Sequence, residues 1–139
     1  MPHKDIIVIG GGPAGAAAAI RAARHGIRVS VFEKGQQGRD KVCGDGLTPR
    51  AVGALQELEI DLGAAHRIQG LRMIAGKQAR ELDWPETSRF PSFGAVWPRR
   101  QLDTALMDAA AEAGAETIFE TEAVPAMDEE GRCVGVDTA

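Results

Sequence analysis

This chain of 139 residues has little cysteine, no excess of basic charge and no long apolar run. Its two cysteines, Cys43 and Cys133, lie far apart and lack the close spacing of metal ligands, so we expect no metal site. The formal net charge of −4 argues against a nucleic-acid surface, which usually requires a basic patch. No run approaches the roughly 20 apolar residues of a membrane span. These shortages argue against a cysteine-ligated metal site, a nucleic-acid-binding surface and a membrane span before any motif is considered.

The N-terminus also lacks the charged and apolar regions of a secretory signal peptide. Together with the scarce cysteine, this indicates a reduced, cytoplasmic protein without a disulfide. The apolar fraction of 44% and the charged fraction of 26% are ordinary for a globular chain. The length predicts one domain, or one lobe of something larger.

The first 33 residues follow the order strand, tight turn, helix, strand. The run "DIIVI" predicts a buried strand, and "IRVSVFE" predicts a second one. Between them, "AAAAIRAARHG" predicts a helix of small residues that Gly26 ends. This order indicates a βαβ unit with a parallel pair of strands. The sequence therefore predicts an α/β fold.

Two further helices are predicted. "LTPRAVGALQELEI" begins with Thr48, a good N-cap, and Pro49, which suits the first helical position. "RQLDTALMDAAAEAG" places Leu102, Leu106 and Ala110 on one stripe. Both patterns predict amphipathic helices that pack on a core.

The remaining segments predict short strands separated by glycine and proline. These segments are "IQGLRMIAG", "ARELDW", "FGAVWP", "AETIFETEAV" and "CVGVDTA", and Cys133 is predicted to be a buried strand residue. Since "GRCVGVDTA" stops in the middle of a strand, we expect the chain to be an N-terminal portion of a larger protein.

The glycine-rich turn carries the clearest chemical signal. Gly10, Gly12 and Gly15 satisfy G-x-G-x-x-G directly after a strand and directly before a helix. They allow the tight turn, the approach of a pyrophosphate and close helix packing, while the helix N-terminus attracts phosphate. Glu33, at the end of the second strand, suits the hydroxyl groups of an adenosine ribose and disfavours the 2′-phosphate of NADP. The spacing leaves both FAD and NAD open.

Four segments occur in an order that resembles the geranylgeranyl reductase family of flavoproteins. They are "GGGPAGAAAA", "VFEK", "RDKVCGDGLTPRAV" and "PRRQLDTAL", and "CGDGLTPRAV" is most similar to the menaquinone reductase-like branch. The resemblance implies FAD and a Rossmann-like FAD-binding fold of the p-hydroxybenzoate hydroxylase and glutathione reductase class. It also implies that residues 1–67 and 99–139 belong to the FAD-binding domain. Residues 68–98 would supply the first strands of a substrate domain.

The resemblance also assigns residues to the cofactor. The fingerprint would hold the FAD pyrophosphate, Glu33 with Lys34 would meet the adenosine ribose, and Cys43 would lie near the isoalloxazine. The complete implied set is Gly10, Gly12, Pro13, Ala14, Gly15, Glu33, Lys34, Arg39, Cys43, Gly44, Arg99 and Val124.

The implied reaction is the reduction of isoprenoid double bonds, in a geranylgeranyl or menaquinone chain. Cys43 is the candidate catalytic residue, since Arg39 and Lys41 would favour its thiolate. The alternative is that Cys43 is a small residue packed under a glycine loop. Because these isoprenoid substrates are apolar lipids, the resemblance also implies peripheral contact with the inner face of the membrane.

Other interpretations of the chain stay open. An aromatic-ring FAD monooxygenase shares the implied fold, although it has no need of a thiol in the cysteine loop. A truncated, non-catalytic nucleotide-binding module and an NAD-binding lobe of another oxidoreductase also fit the fingerprint. The electron donor and the oligomeric state are not indicated by the sequence.

Overall fold

The computed structural model describes residues 4–42 and 44–139, and these form an α/β structure. Cys43, the candidate catalytic residue, lies outside the described residues. The chain divides into two compact units. The first contains the chain up to Lys41 and from Arg100 onward, and the second contains Val42–Arg99. The functional domain boundaries predicted near residues 67 and 98 stay a prediction.

A small parallel sheet forms the centre of the first unit. Strand β1 (Ile6–Ile9) leads through helix α1 (Pro13–Arg24) to strand β2 (Val29–Phe32). β1 and β2 are parallel, with Ile6 opposite Val29. Strand β8 (Glu116–Ile118) runs parallel along the other edge of β2, so the order is β1-β2-β8. The predicted βαβ unit is thereby confirmed.

Helix α1 lies close to the sheet because its buried face is made of small residues. Ala16, Ala19 and Ile20 are fully buried, and α1 contacts both β1 and β2. Gly26, with a φ of 77°, follows the helix in a left-handed conformation that suits glycine. The predicted end of this helix is therefore confirmed, and β2 begins three residues later.

The prediction that β1 is a buried strand is wrong. Ile6, Ile7 and Ile9 are between 37% and 46% exposed. β1 is one of the two edge strands of the described sheet, whereas β2 is paired on both sides and buried throughout. An apolar run predicts a strand, but the position of that strand in the sheet decides its exposure.

Helix α3 (Arg99–Glu112) carries the predicted apolar stripe. Leu102, Leu106 and Ala110 are all buried, as the sequence predicts. The segment "AETIFETEAV" is two strands rather than the single one predicted: β8 ends at Ile118 and β9 spans Ala123–Met127. Between them Glu120 adopts a φ of 53°, which interrupts extended structure.

Strand β9 pairs antiparallel with β10 (Cys133–Thr138), and this hairpin completes the first unit. Its turn is held by Asp128, whose Oδ1 accepts hydrogen bonds from the N–H groups of Glu130 and Arg132, both at 2.9 Å. Cys133 is exposed, so its predicted burial is wrong. Successive side chains of a strand point to opposite faces, so one face of a hairpin at the edge lies outside the core.

The second unit contains helix α2 and short antiparallel strands. α2 (Pro49–Glu57) begins as predicted, since Thr48 Oγ1 accepts the N–H of Ala51 at 3.4 Å. α2 packs against strands β3 (Gly46–Leu47) and β7 (Gly94–Val96). Strand β7 lies between β3 and β4 (His66–Ile68). β3 is not predicted from the sequence, because two residues are too few to show a period.

The second unit also contains a two-stranded hairpin. Strand β5 (Gly70–Ala75) pairs antiparallel with β6 (Gln78–Asp83) around Gly76, whose φ is 61°. The segment "IQGLRMIAG", predicted as one strand, is divided between β4 and β5. The reason is that β4 pairs with β7 whereas β5 pairs with β6, so the chain changes sheets at Gln69.

Within residues 4–42 and 44–139, no helix combines the length and the apolar character needed to cross a lipid bilayer.

Candidate nucleotide-binding site

Two positions at the junction of β1 and α1 require glycine, one in the turn and one in the first turn of the helix. Gly10 has a φ of 106°, a conformation that residues with a side chain rarely adopt. A Cβ atom on Gly15 would overlap the carbonyl oxygen of Gly10 and would lie 3.0 Å from Val8 Cγ1. The Gly10 N–H donates to the carbonyl of Phe32 at 2.8 Å, which fixes the turn to the end of β2.

The N-terminus of α1 opens at this turn without a side-chain cap. Gly12 is the N-cap residue, Pro13 follows it, and no acidic residue occupies the first turn. The first N–H groups of a helix have no intrahelical acceptor, and the helix dipole places partial positive charge there. The turn therefore offers backbone donors and a positive field to an anion such as phosphate.

Glu33 follows β2 directly and is buried against the turn. Its Oε2 accepts the N–H of Gly11 at 2.9 Å, and its Oε1 accepts the N–H of Gly35 at 2.8 Å. A carboxylate has about four acceptor positions, so Glu33 retains capacity for a further donor. A ribose hydroxyl group is a donor of the kind that this carboxylate can accept.

Arg39 neutralises the charge of Glu33. The Nε and Nη2 atoms of Arg39 both lie 3.3 Å from Glu33 Oε1. Burial by itself raises the pKa of Glu33, but the hydrogen bonds from Gly35 and Gly11, with the charge of Arg39, outweigh burial. The pKa of Glu33 is therefore held below its ordinary value, and the group is a carboxylate at neutral pH.

The turn and the end of β2 border one open cleft of about 580 Å³ in the first unit. This volume lies in the range of ligand sites. The glycine-rich turn and the acidic strand end line the same cleft, as a diphosphate joined to a ribose requires. The lining residues are Ile9, Gly10, Gly12, Pro13, Ala14, Gly15, Phe32, Glu33, Lys34, Arg39, Lys41, Thr121, Glu122 and Ala123.

Some predicted site residues lie elsewhere. Val124, in β9, follows the cleft-lining Ala123 but does not itself line the cleft, and its side chain is about half exposed. Gly44 belongs to the second unit and is exposed. Arg99 also belongs to the second unit, is buried and is the first residue of α3. Its backbone N–H donates to Asp45 Oδ1 at 2.9 Å. The cofactor contacts assigned to these three residues stay predictions.

Sequence reasoning missed three contributors to the site. Gly11 occupies a variable position of the fingerprint, yet its N–H binds Glu33 and a Cβ there would lie 3.1 Å from Met107 Sδ. Thr121 lies within a segment predicted as continuous strand, but its N–H donates to the Glu33 carbonyl at 3.2 Å. Lys41 lines the cleft, and its place so soon after Arg39 is the signal that could have found it.

A parallel βαβ unit whose glycine turn and acidic strand end meet in one cleft defines a Rossmann-like dinucleotide-binding fold. The model of the FAD binding domain family matches residues 3–136, and the chain belongs to that family. The predicted fold class and the prediction of FAD are therefore confirmed.

Two curated relatives, both reductases, are similar to most of this chain. The chain is 42% identical over 132 residues to the menaquinone reductase of Mycobacterium tuberculosis (strain CDC 1551 / Oshkosh), covering 94% of this chain and 32% of that protein. It is 32% identical over 139 residues to the digeranylgeranylglycerophospholipid reductase of Thermoplasma volcanium, covering 97% of this chain and 34% of the relative. The predicted resemblance is confirmed, and the chain spans about a third of the length of these relatives.

A solved structure agrees with both relatives. The crystal structure of a geranylgeranyl bacteriochlorophyll reductase-like protein from Thermoplasma acidophilum superposes with a TM-score of 0.80 at 28% sequence identity. The match covers 97% of this chain and 34% of that chain. The likeness extends across both compact units of the described structure.

Proposed function

We propose that this chain is the FAD-binding portion of a reductase that acts on isoprenoid double bonds. The observation that carries the nucleotide part is the cleft in which an uncapped helix N-terminus and the Glu33 carboxylate occur together. The names of the two curated relatives, both reductases, support the reaction class. The long isoprenoid chain of menaquinone or of a geranylgeranyl lipid is the proposed substrate class.

In this proposal the fingerprint binds the cofactor diphosphate. Gly10, Gly12 and Gly15 bring the backbone close to the phosphates, and Pro13 and Ala14 supply the first turn of α1. The N–H groups of that turn donate to phosphate oxygens, which the dipole of the helix also attracts. This part of the site is sequence-local, since a single turn and one helix provide it.

Glu33 accepts hydrogen bonds from the adenosine ribose. Its lowered pKa keeps it an acceptor at neutral pH, and Lys34 lies beside it in the lining of the cleft. Arg39 holds one carboxylate oxygen, so the ribose is expected to use the other, which accepts only Gly11 among the described residues. Val124 and Arg99 are proposed as more distant contacts with the cofactor.

When bound, FAD supplies the hydride-transfer chemistry, and the protein must orient the substrate and supply a proton. Cys43 is the proposed proton-handling residue, with Gly44 next to it in the loop. A nearby cation lowers the pKa of a thiol, and Lys41 precedes Cys43 by two residues in the sequence.

We further propose a cytoplasmic protein that contacts the membrane peripherally, because an isoprenoid chain is held in lipid.

The cofactor proposal is tested by mixing the purified chain with FAD, removing free ligand by gel filtration and recording the visible spectrum. A retained flavin band supports the proposal. Absence of the band from a folded sample contradicts it. Binding of NAD without any retained flavin would instead favour an NAD-binding lobe.

The reaction proposal is tested with flavin-loaded protein, reduced chemically without oxygen and mixed with menaquinone. Mass spectrometry should find a product that has gained two hydrogen atoms. Cys43→Ala should lower the yield while retaining flavin. A product that gains oxygen when air is admitted would favour the monooxygenase, and no product at all would contradict a catalytic role for this chain.

A further inference from the structure

The amino group of Lys41 lies beside the phosphate-binding turn. Its Nζ atom is 3.8 Å from the position that a Cβ atom on Gly12 would occupy. The missing side chain of Gly12 is the feature that lets a pyrophosphate approach the backbone. Lys41 also lines the cleft that Gly10, Gly12 and Gly15 border. The amine therefore reaches the space that the glycine leaves open.

The positive charge of Lys41 is not engaged elsewhere in the described part of the chain. Its side chain makes no hydrogen bond or ion pair with a described residue, and only its backbone N–H is bonded, to Asp40 Oδ1 at 3.0 Å. Arg39, in contrast, is paired with Glu33. Of these two cations in the same loop, Lys41 is the one that keeps its charge available to a ligand.

The loop that carries Lys41 is anchored at several points within the first unit. Gln37 Nε2 donates to Asp108 of α3 at 2.6 Å, and Gln36 Nε2 donates to Glu120 at 3.0 Å. The ion pair between Arg39 and Glu33 is a third attachment. These contacts hold the loop against α3 and the end of the sheet. The backbone that places Lys41 beside Gly12 is therefore fixed by side-chain contacts.

We propose that Lys41 binds the diphosphate of the cofactor directly, opposite the N–H groups of α1. The inference rests on the proposed function and adds a ligand that the glycine fingerprint does not contain. Two kinds of donor then enclose the diphosphate: uncharged N–H groups from the helix and a compact ammonium charge from the loop. Glu33 and Arg39 serve the ribose end of the same cleft.

The test compares the affinities of wild type, Lys41→Ala and Lys41→Arg for FAD, ADP and adenosine by calorimetry and nuclear magnetic resonance titration. Lys41→Ala should weaken FAD and ADP by about tenfold, which is the lower end of the effect of one charge-assisted hydrogen bond, as suits a partly exposed site. Adenosine, which has no phosphate, should bind wild type and variant equally. Lys41→Arg should recover most of the loss, because the charge is kept.

Lys77→Ala is the matched control, since it removes the same charge from an exposed position between β5 and β6, and Lys77 does not line the cleft. It should change ADP affinity by less than about twofold. If wild type binds FAD and Lys41→Ala binds it equally well, the inference alone is overturned. If Lys41→Ala weakens adenosine as much as ADP, a diphosphate contact is also contradicted. Failure of wild type to bind either nucleotide overturns the proposed function and this inference together.

Discussion

Strand β2 and the β5–β6 hairpin are both paired along their whole length, yet their surroundings differ. β2 is paired on both sides and buried along its whole length. In the hairpin, Leu71, Met73 and Ile74 are between 48% and 70% exposed, although every residue from Gly70 to Ala75 has a cross-strand partner. Every residue of both regions has a backbone partner, but β2 has neighbours on two sides and is removed from water, whereas each hairpin strand has one neighbour and keeps apolar surface exposed.

The same contrast extends to charged groups. Glu33, at the end of β2, accepts two backbone N–H groups and faces Arg39 in a largely buried setting. In the hairpin, Glu81 lies 3.9 Å from Arg72, and both side chains are mostly exposed. A buried carboxylate needs its partners, while an exposed ion pair contributes little. The nucleotide site therefore includes a buried carboxylate whose loss of partners would cost more than the loss of the exposed ion pair in the hairpin.

The largest difference in the free energy of unfolding should come from replacing one glycine by alanine in each unit. Gly15→Ala places a Cβ against the backbone of Gly10, so we expect a loss of about 4 kcal/mol or more and no retained flavin. Gly53→Ala, inside α2, places its Cβ 3.5 Å from Phe90 and Pro91, an ordinary contact. This second change should stabilise the protein by about 0.5–1 kcal/mol. Urea unfolding followed by circular dichroism measures both.

Equal effects of the two glycine substitutions would remove the argument that the fingerprint turn is sterically closed. The flavin spectrum provides the independent check, because Gly53→Ala should retain as much FAD as wild type.

The next largest effect should distinguish a buried leucine from an exposed one. Leu106→Ala removes a side chain that is 1% exposed in α3, and a core truncation of this type costs about 3 kcal/mol. Leu71→Ala makes the same chemical change in β5, where the side chain is 48% exposed, and should cost less than about 1 kcal/mol. Denaturation midpoints of the two variants give the comparison directly. A cost for Leu71→Ala that equals that for Leu106→Ala would show that the hairpin is covered in solution.

The smallest difference in stability should be that between Glu33→Gln and Glu81→Gln, and it should depend on pH. Because the pKa of Glu33 is lower in the folded chain than its ordinary value of 4.5, its charge stabilises the fold above that value. This stabilisation is lost as the pH falls through the folded pKa. At pH 7 we expect Glu33→Gln to cost about 1–2 kcal/mol, and the cost should shrink in acid. Glu81→Gln should cost less than about 0.5 kcal/mol at either pH.

Unfolding curves at pH 7 and at pH 3.5 make this measurement. A difference between wild type and Glu33→Gln that grows in acid would contradict the direction of the pKa shift. A pH-independent difference would mean that packing, rather than charge, is what the substitution disturbs.

Much of the first unit could be predicted because its signals are local. The glycine spacing requires a tight turn, Gly26 ends the helix that follows, and Glu33 comes directly after an apolar strand. Likewise Thr48 caps α2 with its own side chain. Each of these features depends on residues close in sequence, so the pattern contains nearly all the information needed. The family resemblance and FAD were predicted for the same reason, since they rest on contiguous motifs.

Other features depend on residues far apart in the chain. The exposure of β1 is decided by its place at the sheet edge, and the exposure of Cys133 by its place in the terminal hairpin. The segment around Glu120 breaks into two strands because β8 joins β2 whereas β9 joins β10. A period of two describes both outcomes equally well, so the sequence pattern could not separate them.

The sequence by itself determined the βαβ unit, the phosphate-binding turn, the acidic strand end and the resemblance to a family of flavoproteins. Only the tertiary structure decided which cations serve which part of the cleft. Arg39 pairs with Glu33, while the supported loop brings Lys41 to Gly12. The physical reason is that local dihedral preferences and glycine's missing side chain act within a few residues. Burial, and the anchoring of the loop by Asp108 and Glu120, depend on which distant segments the fold brings together.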